Sequence, residues 1–284
     1  MEEKYIDLHV HTNYSDGTFS PEEAVRFAKG AGLSAISITD HDTVGAIARA
    51  IEEGKKEGLG IIPGVELSCE VEDSQRSELH MLGYFINTED ATFTAFLKAF
   101  RQARSERAEK ILKKLQDTGI SLKKEILEKI AGYGAVGRLH VAKALVEAGF
   151  TKTVGEGFLK YLSAGKPAYV PKFKLSPEDA IKLISDAGGV AVLAHPYYIH
   201  YSDRGFIQDL VAAGLEGIEV WHTKHSASAE KTFKQIARDL HLVATGGSDC
   251  HGPYGQEPPL MGSVKVPYSV LEELEKRKIR ANAQ

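Results

Sequence analysis

Alternation defines the first element. In Tyr5-Ile6-Asp7-Leu8-His9-Val10-His11, the apolar Ile6, Leu8 and Val10 alternate with Asp7, His9 and His11, the period of a strand. A loop through Thr12, Asn13, Tyr14 and Ser15 follows and ends in Asp16-Gly17. Ser20-Pro21-Glu22-Glu23 then predicts a helix start. Ser20 caps, Pro21 takes the first helical position, and Glu23 stands three residues after the cap. That helix runs to about Gly30-Ala31-Gly32. Ala35 to Thr39 is a short apolar strand ending in Asp40-His41-Asp42-Thr43, where Asp42 or Thr43 caps a helix from Ala46 to Lys56. Ile61 to Ser68 and Leu79 to Phe85 are the third and fourth strands, and the polar stretch Glu70 to Ser77 between them predicts a hairpin-like connection.

From about Asp90 to Phe173 the texture changes. Phe93, Phe96, Leu97 and Phe100, then Ile111, Leu112 and Leu115, recur at helical spacing. Further helical segments lie near Lys123 to Ile130 and Leu139 to Ala148, punctuated by Gly119, Gly132, Gly134 and Gly149. The aromatic stripe reads as helix packing, and the basic run from Arg101 to Lys114 as a solvated face balanced by Glu106 and Glu109. The strand and helix rhythm then resumes. Ser176-Pro177-Glu178-Asp179 repeats the capping signal, Val190 to Pro196 and Gly217 to Trp221 are strands, and Leu242 to Gly252 is a strand whose end carries Asp249-Cys250-His251. A last helix spans Ser269 to Lys278, and Arg280 to Gln284 fray. The expected organisation is a β/α unit made of residues 1–89 and 174–284, interrupted by a helical insertion over 90–173 that caps the site.

Composition narrows the class. The chain has 284 residues, 43% hydrophobic and 26% charged, ordinary for a globular protein with a large core. A net charge of -4 argues against a broad basic surface for long nucleic acid and leaves room for a local basic groove. Two cysteines, Cys69 and Cys250, are too few for a disulfide framework and fit a reducing compartment. Cys250 is a minor candidate as a soft metal ligand, since better ligands flank it. The amino terminus shows no secretory pattern, and no apolar run approaches the roughly 20 residues that span a bilayer. A cytoplasmic protein without a membrane association or an obligate protein partner is expected.

The chemistry sits at strand ends. His9 and His11, two residues apart on a strand, point to one face, and Asp16 can turn back toward them. Imidazole with carboxylate and no thiolate suits a borderline or hard divalent ion. His41, Glu66, His80, His195, Asp249 and His251 occupy comparable positions on later strands. A lone histidine is usually a satisfied core residue; nine such residues at successive strand ends have no comparable bland explanation. With a bridging carboxylate they would suffice for three ions. Chemistry repeated at the carboxyl ends of strands is the logic of a (β/α) barrel, whereas a doubly wound sheet usually offers one crevice and fewer contributing strands.

Taken in order, Asp7-Leu8-His9-Val10-His11-Thr12, Ile38-Thr39-Asp40-His41-Asp42, Gly64-Val65-Glu66, His80, Ala194-His195-Pro196 and Ser248-Asp249-Cys250-His251 resemble the PHP family, the polymerase and histidinol phosphatase superfamily. The resemblance covers both halves of the chain and leaves out only the insertion. It implies a distorted, seven-stranded TIM-like barrel of the α/β class and a trinuclear metal centre that hydrolyses phosphoesters through a metal-bridging hydroxide. Asp16, where other branches carry His, and the insertion with Gly137-Arg138-Leu139-His140 make the chain similar to the members that act on 3',5'-bisphosphonucleotides or on 5'-phosphorylated short RNA.

Carried over by position, the resemblance implies that His9, His11, Glu66 and Asp249 hold one ion. Glu66 bridges to a second ion held by His80 and His195, and Asp16, His41 and His251 hold the third. Asp40 orients a ligand from behind. The ions are expected to be Mn²⁺, with Fe²⁺ or Zn²⁺ as alternatives. Glu66, His195 and Asp249 are the expected catalytic residues, and Arg138, His140, Lys166 and His225 the expected substrate contacts. For Arg138 and His140 the competing readings are a surface ion pair and a helix cap, and His222 stands behind His225 as a pocket-lining candidate. Histidinol phosphate is an alternative substrate. A catalytically silent binding module of the same fold and an amidohydrolase-like C–N hydrolase are alternatives of other classes; the complete ligand set argues against both.

Overall fold

A computed structural model describes residues 3–70, 79–131, 137–171, 175–198, 204–253 and 257–281. Most of the polar connection expected between the third and fourth strands, together with Gly132, Gly134 and the last three residues, lies outside the described residues. The chain divides into two compact units, one made of Met1–Thr94 and Lys174–Gln284 and the other of Ala95–Phe173.

The first unit begins with β1 (Tyr5–Val10), α1 (Pro21–Gly30), β2 (Ala35–Ile38), α2 (Ile47–Glu57), β3 (Gly60–Cys69) and β4 (Leu79–Tyr84). α1 starts as its sequence dictates: Ser20 Oγ accepts from the Glu23 N–H, and the Glu23 carboxylate accepts from the Ser20 N–H. α2 does not. Its N-cap is Ala46, with no side-chain cap. Asp42 instead sits in the left-handed region, φ 53°, and its carboxylate accepts from the Ser68 N–H and Oγ. The expected cap is thus spent on tying the β2 loop to β3.

The second unit holds α3 (Ala91–Asp117) from Ala95 onward, α4 (Lys124–Ala131), α5 (Arg138–Glu147) and the single turn α6 (Val154–Gly157). Ile111, Leu115, Leu127, Val141, Leu145 and Leu162 form its core. The basic run of α3 is not wholly solvated. Arg107 is buried and its Nε donates to the Val170 carbonyl, while Lys114 Nζ donates to the Tyr169 carbonyl. These two cations satisfy carbonyls of an irregular segment.

The first unit resumes with α7 (Pro177–Asp186), β5 (Val190–Leu193), α8 (Arg204–Ala212), β6 (Gly217–His222), α9 (Ala227–Asp239), β7 (Val243–Gly247), β8 (Val266–Pro267) and α10 (Ser269–Ala281). α7 is capped by Ser176, as its sequence predicts. Neither α8 nor α9 is among the elements expected from the sequence, although α9 carries a legible signal: Ser226 caps it, and Ala229, Phe233, Ile236 and Ala237 line one buried face. Among the described residues no helix is long and apolar enough to cross a membrane.

The strands form one sheet in the order β7-β6-β5-β4-β3-β2-β1-β8. β1, β2 and β3 are parallel, as are β5, β6 and β7. β4 runs antiparallel to both of its neighbours, as a hairpin-like link from β3 requires. β8 adds two residues antiparallel to β1. A parallel bridge from Val10 to Cys250 brings the ends of the sheet together, with the His11 N–H donating to the Cys250 carbonyl at 2.9 Å. The result is a mixed α/β, nearly closed TIM-like barrel with seven principal strands and one short one.

The reversal of β4 corrects one expectation. His80 is the second residue of β4, at its amino end, and reaches the mouth shared by the parallel strands' carboxyl ends because β4 enters from that side. On β1, Ile6 and Leu8 pack with Val243, Val270 and Leu274, and Val10 packs with Val25, Ile36 and Ile38. A register shift between Asp7 and Val10 breaks the strict alternation: Asp7 shares a face with Val10, while His9 and His11 turn their rings to Glu66, and all three polar side chains are fully buried.

Closure is tight at β7. A Cβ on Gly247 would stand 2.4 Å from His9 Cβ and 2.5 Å from the His9 nitrogen, so the strands meet only if this position is glycine. Gly247→Ala should destabilise the chain by about 1–3 kcal/mol through overpacking. The urea midpoint checks this, and a midpoint equal to that of the wild type would show that the seam is loose.

Candidate metal centre

Glu66 stands at the middle of the mouth. Its Oε2 lies 3.2 Å from His9 Nε2, 3.1 Å from His11 Nε2 and 3.3 Å from His41 Nδ1. Its Oε1 lies 2.8 Å from His80 Nδ1 and 3.0 Å from His195 Nε2. Asp249 Oδ1 joins from β7's end, 3.4 Å from His9 Nε2 and 3.2 Å from His11 Nε2. On the outer side Asp16 Oδ1 is 3.2 Å from His251 Nε2, and Asp16 Oδ2 is 3.9 Å from His41 Nε2. The nine residues singled out in the sequence therefore occupy one contiguous cluster.

The cluster resolves into overlapping groups whose ligand atoms lie within 4.8 Å of one another: His9, His11, Glu66 and Asp249; His11, Asp16, His41 and His251; and His41, Glu66 and His80. His195 joins the last through Glu66 and through His80, whose Nδ1 is 3.3 Å from its Nε2. A fourth group, His9, Glu219 and His222, lies beneath.

The donor set fits divalent cations. Bond lengths of about 2.0–2.2 Å place neighbouring ligand atoms about 3.0–3.5 Å apart around an ion, and most of these separations fall there. Protons satisfy the arrangement poorly. His9 Nε2 and His11 Nε2 face each other at 3.1 Å while both face the same two carboxylates. Asp16 Oδ1 and His41 Nδ1 are buried with no well-formed hydrogen bond.

The electrostatics agree. Burial opposes ionisation of Glu66, Asp16 and Asp249, yet the surrounding imidazoles outweigh it and hold all three carboxyls well below the usual carboxylate range. Burial also opposes charge on His11, but Asp249 and Glu66 override it and push the imidazole up to about 10. Half-buried His41 goes the other way, down to about 4, because loss of solvation there outweighs the pull of Glu66 and Asp16. The mouth is a basin of fixed negative charge that calls for cations.

Support from behind is specific. Asp40 is buried, and its carboxylate accepts from the Thr12 N–H at 2.7 Å, the Thr12 hydroxyl at 2.6 Å and the Ser15 hydroxyl at 2.6 Å. Ser15 Oγ in turn lies 3.3 Å from His11 Nδ1, which can donate to it and leave Nε2 facing the cluster. His195 and Asp249 hold φ of 23° and 55°, unusual for side-chain-bearing residues, so backbone strain is concentrated at the cluster. Cys250 is not part of any ligand group among the described residues; its thiol packs with Val10 and Val25 and accepts from the Gly252 N–H.

The remaining sequence candidates make other contacts. Arg138 and His140 belong to the second unit. The Arg138 guanidinium lies over the Phe158 ring, and His140 Nδ1 accepts from the Gly137 N–H at the start of α5, a helix-capping contact. Lys166 is an exposed residue of a turn in the same unit. In the first unit His225 Nδ1 donates to the Val220 carbonyl, and its Nε2 is buried without a well-formed hydrogen bond. Sequence reasoning missed Glu219, whose place in Gly217-Ile218-Glu219-Val220-Trp221 looks like an ordinary alternating polar position. It also ranked His222 behind His225, although His222 is the one that faces Asp249.

The model of the PHP domain matches residues 7–152 of the 284, more than half of the chain. The chain belongs to the PHP domain family. It is 38% identical to the 5'-3' exoribonuclease Rnm of Escherichia coli over 253 residues, covering 87% of this chain and 85% of that one. It is 35% identical to a 3',5'-nucleoside bisphosphate phosphatase of Chromobacterium violaceum over 255 residues, covering 87% of each. A solved structure from C. violaceum, described as an amidohydrolase with bound sulfate and no metal, superposes with a TM-score of 0.81 at 33% identity over 96% of both chains. A candidate metal-dependent phosphoesterase from Bifidobacterium adolescentis gives 0.82 at 29% identity, over 97% of this chain and 98% of that one.

Asp40 should matter to this PHP domain even without metal. Asp40→Ala leaves two hydroxyls and one N–H without their buried acceptor, at a cost of about 2 kcal/mol or more. Urea denaturation in chelator measures it, and an unchanged midpoint would mean that the β1 loop repacks freely.

Proposed function

We propose that this PHP protein is a metal-dependent phosphoesterase that hydrolyses phosphate monoesters of nucleotides, either 3',5'-bisphosphonucleotides or 5'-phosphorylated short RNA. The observation that carries the reading is the shared position of Glu66, whose two oxygens face separate sets of imidazoles. Relatives 38% and 35% identical to it over the aligned residues are named for these two activities.

In this reading His9, His11, Glu66 and Asp249 hold one ion, Glu66 with His80 and His195 a second, and Asp16, His41 and His251 a third. Mn²⁺ is the proposed metal, since nitrogen and carboxylate donors without thiolate accept it. When bound, such ions supply Lewis acidity at the phosphoryl oxygens and a water acidic enough to act as a nucleophile near neutral pH.

The chain's own residues do the rest. Glu66 keeps two ligand sets in register. The Asp40–Ser15 relay fixes the ring of His11. The tight seam at Gly247 holds β1 against β7, and so His9 beside Asp249. Such rigid placement lets an in-line displacement proceed by positioning and electrostatics, with no serine or cysteine nucleophile required.

A phosphate-release panel with Mn²⁺ tests the function. It covers nucleoside monophosphates, 3',5'-bisphosphates, 5'-phosphorylated short RNA and histidinol phosphate. Preference for a bisphosphate or RNA end supports the proposal, preference for histidinol phosphate replaces the substrate, and no release from any of them overturns the phosphoesterase reading. Glu66→Ala should lower kcat/KM at least about 100-fold while the protein stays folded, because even outer partners of metal ligands are worth 10- to 100-fold. Circular dichroism controls for the fold, and turnover near the wild-type level at saturating Mn²⁺ would remove Glu66 from the centre.

Metal should also stabilise the fold. At 100 times its dissociation constant an ion bound only to the native state adds about 2.7 kcal/mol per site. Adding Mn²⁺ to chelated protein should raise the melting temperature of the wild type and raise that of Glu66→Ala much less. An equal rise in both would place the stabilising ion elsewhere.

A further inference from the structure

β6 ends among the candidate ligands yet supplies none of the nine. What it supplies is Glu219 and His222, both buried. An ionised carboxylate inside a barrel is costly unless its oxygens are hydrogen-bonded, and those of Glu219 are. Oε1 and Oε2 lie 3.1 and 3.2 Å from His9 Nδ1, and Oε2 also accepts the backbone N–H of His195 at 2.7 Å. The first contact puts the His9 proton on Nδ1 and leaves Nε2 facing Glu66 and Asp249. The second holds His195 at its strained φ of 23°.

His222 acts on the neighbouring carboxylate. Its Nδ1 accepts the Lys224 backbone N–H at 3.1 Å, so the proton of the neutral ring sits on Nε2. That Nε2 is buried and lies 3.5 Å from Asp249 Oδ2, while Asp249 Oδ1 faces His9 and His11. Each oxygen of Asp249 thus has its own task, on a backbone held at φ 55°.

We propose that Glu219 and His222 are positioning residues: from one strand end they fix the tautomer of His9, the backbone of His195 and the orientation of Asp249, and thereby set the affinity of the ion held by His9, His11, Glu66 and Asp249. The inference rests on the metal-centre reading above. The rival explanation is a further ion held by His9, Glu219 and His222, whose ligand atoms lie within 4.8 Å of one another. Hydrogen-bond distances from Glu219 to two N–H donors speak against it, since the carboxylate is already satisfied.

The test uses the whole chain. Equilibrium dialysis against graded Mn²⁺ with elemental analysis gives the number of ions and their affinities, and ¹⁵N spectra of the histidine rings in the diamagnetic Zn²⁺-loaded protein give tautomers. Glu219→Gln keeps the shape but turns an NH₂ toward one of the two N–H donors. It should weaken one ion about 10- to 100-fold with the count at saturation unchanged. His222→Leu, which fills the space without a donor, should weaken the same ion, and His222→Gln, which returns an N–H near the place of Nε2, should restore most of the affinity.

In the wild type His9 should carry its proton on Nδ1 and His222 on Nε2, a readout that needs no variant to fold. Wild-type affinity in Glu219→Gln or in His222→Leu, or a His222 ring protonated only at Nδ1, overturns the proposal. So does loss of one whole ion from Glu219→Gln at saturation, which would make the trio a ligand group. A wild type that binds no divalent ion would instead fail the metal-centre reading itself, and the two failures are told apart by that first titration.

Discussion

A buried, charged Glu66 sets the terms for everything around it. At 1% exposure its carboxylate has lost nearly all contact with water, and such a group persists only where positive charge or donors surround it. Here five imidazoles do so, from β1, the β2 loop, β4 and the end of β5. The barrel is what lets these distant segments of chain reach one carboxylate. Asp16 and Asp249 add negative charge beside it, so the mouth is stable only with cations, whether protons on the rings or metal ions. Folding and function meet in that requirement.

The seam between β1 and β7 serves the same end. Ile6 and Leu8 of β1 pack in one core cluster and Val10 in another, while the rings of His9 and His11 turn to Glu66. Gly247 lets the backbone of β7 approach His9 closely, and the bridge from Val10 to Cys250 carries Asp249 to the histidines. Asp7, nearer the start of β1, accepts the Ser248 N–H and the Gly262 N–H, so the loop after β7 hangs from β1 by a second carboxylate. The strained φ of Asp249 persists because these contacts over-determine it.

Layers of support follow from this geometry. Ligand rings have two nitrogens, and a ring aims one at an ion reliably only if the other is held. Asp40 does this for His11 through Ser15, and Glu219 does it directly for His9. The carboxylates that look redundant in a crowded acidic mouth are therefore divided between those that face the cluster and those that hold its rings.

Much of this was legible in the chain itself. Periodicity of two at Tyr5 to His11 marked β1, and Ser20-Pro21 and Ser176-Pro177 marked two helix starts, because these signals are local and need only neighbouring residues. The order of strand-end histidines and carboxylates, and their resemblance to one family, point to the cluster. Tertiary structure decided the rest. Asp42 had a local role as a cap and took a distant one at Ser68. The direction of β4 depends on pairing with β3 and β5, so the sequence could not say that His80 enters the mouth from an amino end. Glu219 sits in an unremarkable alternating strand, and only closure of the barrel puts it against His9, 210 residues away. A local signal fixes what a residue can do; which partner it does it to depends on chain segments that meet only when the sheet curls shut.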